Sequence, residues 1–155
     1  MDVGEAVIRS FDWSRFQIST GEATRFGDTL IRLLRISNTA EYEETWRDIE
    51  NVVFCQDTIF SAAEPTIDAM LAALVDDRPA PIKSVVIDLL FLLLNGGSVE
   101  DPDLARRCRE RAIRGVWLLV REAVSGSEGV RRAVLEVLDL VDSSQAYAVR
   151  EWLAS

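Results

Sequence analysis

Apolar residues recur along this chain at spacings of three and four, the period of an amphipathic helix. Glu22 to about Arg35 is expected to be the first clear helix, with Phe26, Leu30, Leu33 and Leu34 on its inner face. Ser37-Asn38-Thr39 breaks it, and Asn38 with Glu41 has capping-box spacing. A second helix is expected from about Ala40 to Val53, with Tyr42, Trp46, Ile49 and Val53 as its core stripe. After a connection over 54–61, a third begins near Ala63 and tolerates Pro65 in its first turn. Ile67, Met70, Leu71 and Leu74 form its apolar face, and Asp76-Asp77-Arg78-Pro79 ends it.

Pro81 to Asn95 is the most apolar helix, with Asp88 the one polar residue between Val85 and Leu94. A helix apolar all round must be covered on several sides, so it is expected at the centre of the domain. Gly96-Gly97 is its stop signal. Asp101-Pro102 opens a long fifth helix reaching about Val124, arginine-rich at first and apolar over Val116–Val120. After Ser125-Gly126-Ser127 comes a sixth, Glu128–Val141, burying Val130, Val134, Val137, Leu138 and Val141. Ser143 or Ser144 caps a short last helix in which Val149, Trp152 and Leu153 dock. In the first twenty residues Val3, Val7, Ile8 and Phe11 suit a short helix, and Trp13 and Phe16 pack on the domain. No segment alternates as a strand does.

The expected fold is therefore all-α: one domain over 1–155, with an N-terminal segment at 1–20 and a helical core at 22–154. Seven or so helices with short connections imply antiparallel neighbours. Two arrangements fit: HEAT-like stacked helix pairs or an irregular helical bundle. Thr39 and Pro81 lie about 42 residues apart, inside the ~40–47 of helix-pair repeats.

The segment Asn51–Leu71, NVVFCQDTIFSAAEPTIDAML, resembles one in small bacterial HEAT-repeat-like proteins. Gln56, Thr58, Phe60, Ala62, Ala63 and Pro65 match the family's aromatic-rich turn, while Cys55 and Asp57 stand where it has histidine and glycine. The resemblance implies a curved stack of helix pairs that binds protein and carries no enzyme chemistry. It lends no role to the two departing positions.

Composition narrows the function. The 155 residues include no histidine, which excludes Ser-His-Asp and Cys-His catalysis. Two distant cysteines, Cys55 and Cys108, cannot make a zinc site and are expected to be buried thiols. No cofactor and no metal is expected: Asp76, Asp77, Asp101 and Asp103 lack calcium-loop spacing and read as capping acids. The opening residues show no basic start followed by an apolar run, and Ile82–Leu94 is too short to span a bilayer. A soluble, cytoplasmic protein is the expectation.

Net charge is −9, and residues 1–77 hold all of the excess, with 15 acidic against 6 basic residues. Such a domain is repelled by nucleic acid and anionic membranes and attracts basic proteins. Glu41, Glu44 and Asp48 share one face of the second helix, with Asp57 and Glu64 nearby in sequence; these five are the candidate partner-binding residues. The alternative for them is an ordinary solvated face. Arg106, Arg107, Arg109, Arg111 and Arg114 are expected to pair internally with acids of the first half, rather than bind nucleic acid. Asp88 is expected to have a structural partner such as an arginine; the alternative is a pocket acid. The functional expectation is a non-enzymatic protein-binding module; in size, acidity and fold class it resembles immunity proteins, which implies that it blocks a basic toxin domain by direct binding. A self-associating scaffold is the alternative, so either a monomer or a homodimer fits.

Overall fold

Backbone hydrogen bonding organises residues 1–155 of the computed structural model into nine helices. They are α1 (Val3–Ser10), α2 (Phe26–Leu34), α3 (Thr39–Arg47), α4 (Ala63–Ala73), α5 (Ala80–Leu94), α6 (Leu104–Arg114), α7 (Val116–Ser125), α8 (Glu128–Val141) and α9 (Ser143–Ala154). The all-α class is as expected; the count of seven is not. The expected long fifth helix is two, α6 and α7, broken at Gly115. A Cβ there would lie 2.7 Å from a methyl of Leu71, so the absence of a side chain lets this junction press on α4 with Leu71 in place.

Strands are present, against expectation. β1 (Gln17–Ile18) pairs antiparallel with β2 (Gly21–Glu22), and β3 (Phe54–Cys55) with β4 (Thr58–Ile59). The first hairpin uses residues expected to open a helix at Glu22, which is why α2 starts at Phe26. Likewise α3 stops at Arg47, and Ile49 and Val53 are buried from turns rather than from a helix. Asn51 lies in the left-handed region at φ 63°, which ends helical continuation.

The first half contains the same unit twice: helix, hairpin, helix. Gln17 to Phe54, Gly21 to Thr58 and Phe26 to Ala63 are each separated by thirty-seven positions. The connections also bond to one another. Ser19 N donates to Val52 O at 2.8 Å and Ala62 N to Gln17 O at 3.0 Å, joining the hairpins. Gly97 N donates to Asp57 O at 2.8 Å and Ile59 N to Gly97 O at 2.9 Å, joining the second hairpin to the turn after α5. Three interhelix connections thus form one hydrogen-bonded layer, which fixes the order of the helices behind them.

One apolar cluster of 38 buried residues holds the molecule together. Within it α5 buries Val86, Ile87, Leu89, Leu90 and Leu93 against α4, α6 and α8, as an all-apolar helix must. No helix is long and apolar enough to cross a membrane.

The N-terminus is tied down by charge. Asp76 accepts from Val3 N at 3.1 Å and Gly4 N at 3.0 Å, capping α1 from the turn after α4, the helix it packs on. Those bonds hold its carboxyl below the usual range against the opposing effect of burial, with the Arg78 charge assisting. Arg78, nearly buried, also reaches Asp2 at 2.7 Å and donates to Ala73 O at 2.9 Å. At Gly4 a Cβ would sit 2.9 Å from Ala73 Cα, backbone that cannot move aside. Gly4→Ala is therefore expected to cost about 1–3 kcal/mol, despite alanine's better helix propensity, as measured by urea denaturation.

Candidate functional site

The five acidic candidates have different tasks in the structure. Glu41 is a local capping residue: Asn38 Oδ1 accepts from Glu41 N at 2.9 Å, and the Glu41 carboxylate accepts from Ser37 N at 2.8 Å. The Ser37 amide and hydroxyl keep its carboxyl below the usual range. Asp48 pairs with Arg32 of α2 at 2.5 Å. Glu64, largely buried, pairs with Arg107 at 3.2 Å and Arg111 at 3.5 Å. Glu44 and Asp57 are exposed, and neither has an ion-pair partner within 4.0 Å. Glu41 and Glu44 border a shallow pocket together with Arg32 and Arg35, so cations already stand beside this face.

Two of the five arginines in the run, Arg107 and Arg111, pair with acids of the first half as expected. Arg107 also reaches Asp101 and Arg111 reaches Asp68, both at 2.5 Å, so α6 is stapled to α4 and to the loop before it. Arg106 pairs locally with Glu110 at 2.7 Å. Arg109 and Arg114 are exposed. The cysteines divide. Cys108 is buried and its thiol is pushed up to about 12 by burial, then by the nearby Glu64 charge. Cys55 is exposed, correcting the expectation: in β3 its neighbour Phe54 takes the inward direction, and alternation sends Cys55 out. A disulfide-exchange reagent at pH 8 is expected to titrate one thiol in the native protein and two in denaturant.

A different constellation sets unpaired acids beside apolar and aromatic walls. The side of α5 that the core leaves open is the floor of a groove. At its wider end a cavity of about 600 Å³ is walled by Ile36, Tyr42, Pro79, Pro81, Ile82 and Val85. Tyr42 also borders the next cavity, of about 300 Å³, which holds Trp46, Asp88, Phe91, Leu92 and Glu136. Tyr42 and Trp46, one turn apart on α3, stack with ring centroids 6.0 Å apart and planes 20° apart. Trp46 is braced from behind by Phe54 at 6.3 Å.

Asp88 has no arginine. Neither it, Glu136 on α8 nor Glu50 below Trp46 has a Lys or Arg nitrogen within 4.0 Å. Both acids are exposed at the mouth of the cleft; the apolar walls still take part of the water from Asp88 and Glu136 adds like charge, and both push its carboxyl up. Burial likewise raises the Tyr42 hydroxyl, helped by the charges of Asp88 and Glu50. Negative potential is thus concentrated beside two aromatic faces, the combination that receives a cation.

Of these residues, Asp88 is visible in sequence as a polar interruption. Tyr42 and Trp46, expected as core, are half-buried groove walls. Glu136 carries no sequence signal, since it is one exposed acid among several on α8. Comparison with family models, characterised proteins and solved structures found no match to this chain.

Proposed function

We propose that this chain is a non-enzymatic protein-binding module that docks a basic partner in the groove over α5. One observation carries the reading: Asp88 and Glu136 share an apolar, aromatic-walled cleft with no cation of the chain's own. Unlike Glu64, Asp68 or Glu122, which all have internal cations, these two acids gain their counter-charge only from outside. The duplicated helix–hairpin–helix unit and the bonded connection layer support a stacked-helix scaffold of the HEAT-like kind.

The biological form that suits a small acidic binder is an immunity protein, occluding the working surface of a basic bacterial toxin domain in the cytoplasm, without nucleic acid or membrane. Co-expression with a toxin domain encoded beside it is the test. Growth is expected to be restored by the native chain and not by one carrying Asp88→Lys with Glu136→Lys. Equal rescue by both would remove the groove from the mechanism, and no rescue by either would remove the pairing.

Self-association is a second reading, favoured by Trp117, which is 67% exposed on α7 within the expected apolar segment Val116–Val120. Light scattering decides it: a dimer that Trp117→Ser converts to monomer supports the reading, and a native monomer ends it.

A further inference from the structure

The two cavities sharing Tyr42 differ in chemistry, and that difference describes the occupant. Building on the docking role proposed above, we infer that the groove takes an extended segment of a partner protein bearing an arginine and an apolar side chain two positions from it. The arginine goes between Asp88 and Glu136, against the stacked Tyr42 and Trp46. The apolar side chain goes into the cavity of Pro79, Pro81, Ile82 and Val85.

Spacing supports this occupant. Val85 precedes Asp88 by three residues and Ile82 by six, which is about 4.5 Å and about 9 Å along α5. In an extended chain, side chains two apart point the same way and lie about 6.6 Å apart, between those limits. Charge selects the first side chain. A planar guanidinium both stacks on an aromatic face and forks to carboxylates, so arginine suits this end better than lysine. The wider end has Ile36, Pro79, Pro81, Ile82 and Val85 on its apolar side, Ser37, Asn38 and Thr39 at its rim and no charged side chain, so a charged group on the apolar side would lose water without a counter-charge. An aliphatic side chain fits it.

The full chain titrated with short peptides tests the inference, with the Trp46 indole N–H and the Val85 methyls followed by NMR. Trp46→Phe assigns the indole among the four tryptophans. Acetyl-Leu-Gly-Arg-amide is expected to shift both reporters. Replacing arginine by citrulline, its neutral isostere, is expected to weaken binding roughly tenfold. Replacing leucine by glycine is expected to weaken it by a similar factor and to silence the Val85 signal. Asp88→Asn with Glu136→Gln is expected to erase the preference for arginine over citrulline while keeping the leucine contribution. Equal binding of the leucine and glycine peptides would overturn the two-part occupant and leave docking of a basic partner standing. Equal binding of arginine and citrulline peptides, or shifts confined to other surfaces, would overturn both.

Discussion

Truncation of Trp13 to alanine is expected to lower the stability of the fold by about 3–5 kcal/mol, the largest single-residue effect on folding in this chain. Trp13 is 7% exposed and sits where α1, the turn after it and α2 meet. Its ring meets Phe11 at 5.9 Å, Phe16 at 6.3 Å and Phe26 at 5.9 Å. The indole N–H donates to Ile8 O at 2.9 Å, satisfying a carbonyl near the end of α1. Gly27 exists for this ring: a Cβ there would be 2.6 Å from the indole nitrogen. Removing the side chain leaves a cavity between α1, the turn after it and α2, and it takes the shorter of two hydrogen bonds from that carbonyl, leaving only the 3.4 Å bond from Phe11 N. Urea denaturation followed by far-ultraviolet circular dichroism measures the loss. A change under 1 kcal/mol would mean that the aromatic cluster is not part of the cooperative fold.

Charge reversal at Asp88 is expected to have the largest effect on binding. With a basic partner docked, Asp88→Lys replaces attraction by repulsion at the open side of the cleft, for a loss of about 1–2 kcal/mol, or roughly five- to thirtyfold in Kd. Isothermal titration with the partner domain measures it. The fold should tolerate the change, because Asp88 is exposed and makes no ion pair within the chain. Removing the charge alone should even help the free protein. Asp88 titrates above its unfolded range, so its contribution to stability is most favourable when protonated and declines as pH rises through the elevated value. Asp88→Asn is therefore expected to be more stable than the native chain at pH 7, with the difference vanishing below about pH 4. Glu5, Asp101 and Asp139 act in the opposite sense. Their hydrogen bonds to Arg35, Arg107 and Arg150 lower their carboxyls, so the stability they add is present above the ordinary range and is lost on acidification.

Helix faces were legible in the sequence because burial repeats with the helical period. Val130, Val134, Val137, Leu138 and Val141 are all buried on α8, and Ile67, Met70, Leu71 and Leu74 are buried at or next to α4. The Asn38 cap was legible because capping chemistry is local. The hairpins were not, since strands of two residues have no alternation to read. The break at Gly115 was hidden because apolar periodicity continues on both sides, while the side chain packed against it, Leu71, lies more than forty residues away. The same distance hides charge pairing. Glu64 reads as a free acid until α6 brings Arg107 and Arg111 to it. Tyr42 and Trp46 show the remaining limit: spacing marks an inward face but does not separate packed core from the wall of an open groove.

Asp88 itself offers the most direct measurement. Its carboxyl can be titrated by NMR in the free protein and again with acetyl-Leu-Gly-Arg-amide bound. An uncompensated carboxylate awaiting a cation is expected to titrate above the ordinary aspartate range when free and to fall clearly when the guanidinium arrives. A free-state value at or below the ordinary range, or one that the bound peptide leaves unmoved, would contradict a groove built to receive a basic partner.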